Sequence, residues 1–296
     1  MPKIKYDEKR FGAASLALID TCNRVIEEYT SQGYVLTLRQ LFYQLVSRDV
    51  IPNQQKEYKR LGAVVNDARL SGLIDWECVE DRTRHLESLG HWTSPSEIVE
   101  TAAVSFSIDH WRTQRCRIEV WVEKDALVGV IEEVCNGLDV PYFSCRGYTS
   151  QSEMWSASQR LKEYRAKGQT PVILHLADHD PSGRDMTRDI SDRMRLFMGG
   201  VAVERLALNM NQVRRYNPPP NPAKTTDARY AAYIAEFGEN SWELDALEPA
   251  VIDELIRTAI TNMIDRDKWK SVETKIRKGR ATLSAVAKRL RHAQKN

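Results

Sequence analysis

Apolar residues recur at helical spacing through the first seventy positions. Leu16, Ile19, Val25 and Ile26 mark one helix over about residues 15–30, and a turn at Gly33 follows. Thr37 is placed to cap a second helix whose apolar face is Leu38, Leu41, Phe42 and Leu45. A third helical run over 57–71 stops at Gly72, and LIDWECVEDRT after it reads as a short hairpin.

Three helices and then a hairpin are the order of a winged helix, which is assigned to residues 1–90. Residues 91–114 read as a linker in which Pro95 or Ser96 starts a connecting helix. From 115 onward the period changes. RIEVWVE, VPYFSCRG, TPVILHLADHD and VAVERLAL are strand-like, and the runs between them are helical. Strands alternating with helices of this length predict an α/β fold with a largely parallel sheet across 115–296. Sites in such sheets lie at the carboxyl ends of strands. NMNQVRRYNPPPNPAKTTDARY breaks the pattern: four prolines between Pro218 and Pro222 make a rigid arm and exclude a central strand. SWELDALEPAVIDELIRTAITNMI is expected to return to helix, and the basic tail to be mostly helical.

Composition narrows the classes. The chain has 296 residues, 42% hydrophobic and 28% charged, which fits a globular protein of one or two domains. No run approaches the roughly 18 apolar residues of a membrane span. The opening MPKIKYDEKRFGAAS lacks the apolar core of a signal peptide, so a cytoplasmic location is expected. Five cysteines without a C-x-x-C pair argue against structural zinc or a disulfide framework. The formal charge of +2 says little about partners. Its distribution says more: KIRKGR and KRLRHAQK in the tail are either phosphate contacts or a solvated helix face.

Candidate chemistry collects at the predicted strand exits. Glu123 leaves the first strand, and Asp178 and Asp180 leave the third. Acids one residue apart on extended backbone point the same way. Clustered carboxylates suit Mg²⁺, which also relieves their mutual repulsion, although acidic loops are often simply solvated. His179 is expected to point away from its flanking aspartates, and His175 to be packed. Gly147 ends another strand and can let a phosphodiester approach the backbone. On the second helix Arg39 and Tyr43 lie one turn apart on one face. They are surface residues, or a phenol held beside a cation. With a reference pKa near 10, a phenol needs such help to act as a nucleophile.

Taken in order, EKD at 123–125, SCRGY at 144–148 and LADHDPSG at 176–183 resemble the Toprim domain. TLRQLFY at 37–43 is similar to the T-x-R-x-x-Y-Y pattern of type IIB DNA topoisomerases (topoisomerase VI), with Phe42 in place of the first tyrosine. DRTR at 81–84 and WELDAL at 242–247, close to that family's E-x-x-A-L, extend the resemblance over about residues 15–265. The chain therefore resembles the A subunit of topoisomerase VI and its relative that makes meiotic double-strand breaks, in a compact form associated with nucleoid or mobile-element DNA.

The resemblance implies a winged-helix domain and a Toprim domain that cleave and rejoin DNA. Tyr43 would be the nucleophile of a 5′-phosphotyrosyl link, with Arg39 and Glu123 assisting. Glu123, Asp178 and Asp180 would hold Mg²⁺ or Mn²⁺. Lys56, Lys59, Arg60, Arg69, Arg82, Arg84, Lys124 and Arg146 are the expected DNA contacts. The implied partners are double-stranded DNA, a second copy whose acids meet Tyr43 across a homodimer, and optionally a separate ATPase subunit. The sequence has no P-loop G-x-x-x-x-G-K-[ST], so no ATP site is expected in this chain. The NPPPNPAK arm does not match the well-known subunits of the resembling family. Two alternatives stand beside this expectation: a metal-dependent nuclease in which Tyr43 is structural, and a non-catalytic DNA-binding protein.

Overall fold

In the computed structural model, residues 3–79 and 89–293 are described. Arg82 and Arg84 lie outside the described residues. Three helices open the chain: α1 (Ala13–Ser31), α2 (Leu38–Ser47) and α3 (Gln55–Leu70). The Thr37 hydroxyl accepts from the Gln40 N–H while the Gln40 side chain accepts from the Thr37 N–H, a capping box that starts α2. The inward faces make one core from Ile19, Val25, Ile26, Leu41, Leu45, Leu61 and Val65. Leu16, assigned to that face by spacing, is exposed instead. The expected hairpin, LIDWECVEDRT at 73–83, runs past Val79 and lies partly outside the described residues. Single bridges, Lys5 with Ser71 and Leu36 with Val79, tie this part of the chain to the helices.

Helix α4 (Pro95–Ser105) leads to β1 (Cys116–Val122). The chain then alternates through α5 (Val128–Gly137), β2 (Tyr142–Ser144), α6 (Gln151–Ala166), β3 (Thr170–Leu176), α7 (Pro181–Met198) and β4 (Ala202–Ala207). The four strands form a parallel sheet in the order β2-β1-β3-β4, so the α/β expectation holds. One face, with Ile118, Val120, Leu174 and Leu176, packs on α5 and on Ile252, Ile256 and Ile260 of α10 (Pro249–Thr261). The other face, with Trp121 and Ile173, packs on Met154 and Leu161 of α6 and Ile190 and Met194 of α7. Alternation on strands covered on both faces produces this three-layer arrangement.

Beyond β4 come α8 (Met210–Tyr216), β5 (Asn221–Pro222), α9 (Tyr230–Phe237), β6 (Asn240–Ser241), then α10 and α11 (Arg266–Ala293). Two sequence expectations change here. The segment before the prolines is the short helix α8, not loop. Residues 242–247 are not helix: a 3-10 turn at Leu244–Ala246 precedes α10, which starts only at Pro249. Proline at the first helical position marks that start, and Glu248 before it is extended. The stretch 91–114 is also more than a connection. α4 packs along α11, and Trp111 is fully buried in the sheet core. Among the described residues no helix is long and apolar enough to cross a membrane, and all five cysteines are unpaired.

The segment WELDAL joins the two cores. Trp242, Leu244 and Leu247 enter the sheet core, while Ala246 enters the core of α1–α3. Truncating Leu244, which is fully buried, removes a side chain from this junction and leaves a cavity. Leu244→Ala is expected to lower the unfolding free energy by about 2–5 kcal/mol, read as a lower urea midpoint with an unchanged m-value.

Candidate active site

The exits of β1 and β3 lie side by side because Val122 pairs with Leu176 in register. The Glu123 N–H extends that pairing, donating to the Leu176 carbonyl at 2.8 Å. The Asp178 N–H then donates to Glu123 Oε2 at 2.9 Å. Asp180 caps α7, with Oδ1 accepting from the Gly183 N–H at 2.6 Å and from the Ser182 hydroxyl at 3.0 Å. Gly183 is required here, since a Cβ would lie 2.3 Å from the Asp178 carbonyl oxygen. Arg205 of β4 braces the turn by donating to the carbonyls of Ala177 at 3.1 Å and Gly183 at 2.8 Å. It also donates to the Asp178 carbonyl at 2.5 Å.

Onto this exit folds the segment that follows β6. The Leu244 N–H donates to Asp178 Oδ1 at 2.8 Å. Glu243 and Asp245 project together on either side of Leu244, while Trp242, Leu244, Ala246 and Leu247 enter the cores. Asp178, Glu243 and Asp245 each bring a carboxylate oxygen within 4.8 Å of the others. The Lys124 ammonium sits among them, 2.8 Å from Asp178 Oδ2 and 3.1 Å from Asp245 Oδ1, and it also pairs with Glu243. Arg39 reaches in from α2, with Nη2 3.1 Å from Glu243 Oε2 and Nε 2.8 Å from Asp245 Oδ2. The second contact is an ion pair without hydrogen-bond alignment, as both of its atoms lack a partner by hydrogen-bond geometry.

Three carboxylates here face two cations. Burial pushes the Asp178 carboxyl well above the usual range, against the pull of Lys124, and the neighbouring acids add to the rise. Burial also acts to raise Glu243, but Lys124 and Arg39 outweigh it and hold this carboxyl at about 2. Burial opposes the charge on Lys124, and the three acids outweigh it, keeping the ammonium charged. Glu123 is likewise raised, first by burial and then by the charges of Asp180 and Glu243, while the Asp178 N–H and Lys124 pull it down. The donor set is chemically suited to a cation. Asp178, Glu243 and Asp245 can hold a metal ion through hard oxygen ligands, and such an ion would take over oxygens that Lys124 now contacts.

Tyr43 lies beside this group in the same chain. It is 5% exposed, and the Arg39 guanidinium carbon is 5.7 Å from its ring centroid. Burial pushes the phenol up to about 12, and the negative charges of Glu243 and Asp245 add to this against Arg39 and Lys124. Arg39, Tyr43, Asn53, Tyr58, Lys224 and Glu243 line one cavity of about 440 Å³. Its wall includes the proline arm, which pairs β5 antiparallel with β6 and bonds Asn221 to the Asn53 side chain. Lys224 extends from the arm to within 4.0 Å of Asp180 Oδ2.

The structure thus redistributes the residues singled out in the sequence. Glu123, Asp178 and Asp180 occupy neighbouring exits, but the three acids that converge are Asp178, Glu243 and Asp245. Lys124, expected at DNA, points into the acids and has a side chain only 17% exposed. Arg69 is drawn into the fold, where it donates to the carbonyls of Trp76 and Val79 and lies over the Trp76 ring. Arg60 pairs with Glu57 at 3.2 Å, and Arg146 with Asp125 at 2.9 Å. Lys56 and Lys59 are exposed on α3. His175 and His179 are buried and bond Thr187 and Tyr233, respectively. Glu243, Asp245 and Lys224 were missed as site residues. The signal for the first two was available: E-x-D between apolar residues repeats the logic of D-x-D.

No protein-family model matches the chain, and no curated protein matches it in sequence.

The low carboxyl of Glu243 sets a pH dependence. A group depressed in the folded state stabilises it above the unfolded value, near 4.5, and loses that contribution as pH falls towards about 2. The urea midpoints of wild type and Glu243→Gln are therefore expected to differ most above pH 4.5 and to converge as pH falls towards 2. A gap that is constant across this window would contradict the charge pairing.

Proposed function

We propose that this chain is a DNA-cleaving transesterase of the topoisomerase VI A-subunit type, with α1–α3 as its winged-helix part and the parallel sheet as its Toprim part. The observation that carries the reading is the docking of α2 on the acidic group through Arg39. That contact puts Tyr43, Arg39 and Glu243 around one cavity, beside Asp178 and Asp245.

The chemistry follows from these groups. The Tyr43 oxygen attacks a backbone phosphorus, forming a P–O bond to the phenol as the P–O bond to the sugar 3′-oxygen breaks. The phenolic proton passes to solvent in the cavity and solvent returns one to the departing 3′-oxygen, since Glu243, held at about 2, is too weak a base to keep it. Arg39 offers N–H donors to the phosphate oxygens as charge develops on them. Reversal returns the 3′-oxygen to phosphorus without an external energy source. Mg²⁺ or Mn²⁺ held by Asp178, Glu243 and Asp245, with Glu123 behind them, would supply charge neutralisation and orientation for the phosphate. The proposed substrate is double-stranded DNA. A homodimer would present two sites to opposite strands, and a separate ATPase subunit would be needed for driven strand passage.

A second reading has one observation in its favour. Tyr43 is buried and its phenol is hard to ionise, which fits a structural tyrosine in a metal-dependent nuclease. Incubating supercoiled DNA with protein and Mg²⁺ or Mn²⁺, then denaturing with detergent, separates the two. Protein covalently attached to 5′ ends is expected with wild type and not with Tyr43→Phe. Arg39→Ala is expected to slow adduct formation by about 10²–10³-fold. Continued metal-dependent cutting by Tyr43→Phe without any adduct would establish the nuclease instead. Mixing Tyr43→Phe with Asp178→Asn tests where the two groups come from. With the phenol and acids assembled within one chain, no rescue of adduct formation is expected; rescue would establish sites shared across the dimer.

A further inference from the structure

Helix α11 is not used by the proposed chemistry, yet it holds the most uneven charge in the molecule. Over 28 residues it carries ten Lys and Arg against two Asp and Glu. The whole chain has 43 against 41, so everything outside α11 has 33 against 39 and is net acidic. The helix is also fixed in place. Val272, Ile276 and Ala287 form its buried stripe, and it packs along α4. At Gly279 the Phe106 ring presses on the helix so closely that a Cβ would meet it at 2.3 Å.

By the helical period, the face opposite that stripe carries Lys270, Arg277, Lys278, Lys288 and Arg289, all exposed. None of these five pairs with a carboxylate among the described residues. Helix α7 shows that this is not the general habit of the chain. There Arg188 pairs with Asp185 and Asp192, Arg193 with Asp189, and Arg195 with Asp192, each at i,i+3 or i,i+4 spacing. Those three α7 arginines are spent within the helix, whereas the five named on α11 face outward, although Lys268 and Arg291 of α11 pair with Asp265 and Glu100. From Lys270 to Arg289 the row runs about 28 Å at 1.5 Å per residue, close to the roughly 34 Å of one duplex turn. At its flank, Arg277 and Arg280 share a cavity of about 360 Å³ with Ser107, His110 and Glu273.

We propose that the outer face of α11 is a docking rail for the phosphates of duplex DNA, separate from the cleavage site. The proposal rests on the reading that the protein acts on DNA. A duplex offers about one negative charge per 1.7 Å of its axis, which matches a rigid row of unpaired cations and needs no base contact. The apolar stripe of α11 is already covered by α4, so the helix has no apolar face left to lay in a membrane surface.

The test is binding without chemistry. Fluorescence anisotropy of a labelled duplex of about 30 base pairs is followed from about 50 to 200 mM salt without divalent metal. The proteins are wild type, a control Lys162→Gln exposed on α6, and a variant combining Lys270→Gln, Arg277→Gln, Lys278→Gln and Lys288→Gln. Each lost phosphate contact should flatten the slope of log affinity against log salt by about 0.9. The fourfold variant is therefore expected to lose about 3–4 units of slope and at least about tenfold in affinity, while Lys162→Gln binds as wild type does. Should the fourfold variant fold poorly by circular dichroism, the single substitutions, each expected to flatten the slope by about 0.9, decide the matter.

Wild-type affinity and slope in these variants, or no duplex binding by wild type, would overturn the rail. So would equal competition by polyglutamate, which would assign the face to acidic proteins. Adduct formation with no effect of the rail variant removes the rail and leaves the cleavage reading standing. Rail-dependent binding without a Tyr43 adduct does the opposite.

Discussion

A single ammonium organises the centre of this molecule. Lys124 lies at the exit of β1 and touches an acid from the exit of β3 and two from the segment before α10. Moving a charged amine and three carboxylates out of water costs several kcal/mol per ion, and that cost is offset only when the contacts are close and complete. Four chain segments must therefore be placed together before any of these charges is tolerable. Arg39 adds the fourth, tying α2 and the helical core to the sheet. Removing one partner would leave the others buried without compensation, which is why such groups tend to keep their geometry.

The surrounding scaffold serves the same constraint. Arg205 takes up the carbonyls that a sharp turn after β3 would otherwise leave unpaired, and Gly183 lets α7 start directly beneath Asp178. The acidic group is held rigidly at a strand exit, as sites in parallel sheets commonly are. The cavity beside it is framed by elements far apart in sequence: α2, the start of α3 and the proline arm. On the proposed reading, a DNA phosphate entering that cavity gives Arg39 and Lys224, which line it, a new anionic partner. The acids they leave then need a cation in exchange. Substrate and metal would in this way favour one another's arrival.

Much of the architecture was legible in the chain. The alternation of strand-like and helical runs after 115 gave the parallel sheet, and Thr37 gave the start of α2. The Asp178 exit was found because an apolar strand runs visibly into charge. Other features were hidden for physical reasons. WELDAL has the composition of a helix, and only Pro249 shows where the helix begins. Its acids become a site through a contact with Asp178 across 66 residues of sequence, which no local pattern encodes. Lys124 looked like a phosphate contact because it lies close to the acids of the predicted strand exits. The acids that draw it inward come from elsewhere in the chain. The proline arm could be recognised as rigid, but what it walls could not.

The division of side chains in 242–247 also has a bearing on how this region can change. Trp242, Leu244 and Leu247 enter one core and Ala246 the other, while Glu243 and Asp245 go to the acidic group. Substitution at any one position leaves the others where they are. Loss or gain of a single residue does not: it moves each later side chain one place along a path whose surroundings switch between hydrocarbon and charge. This stretch is therefore open to drift in residue type but closed to drift in length, unlike most connections that run over a protein's surface.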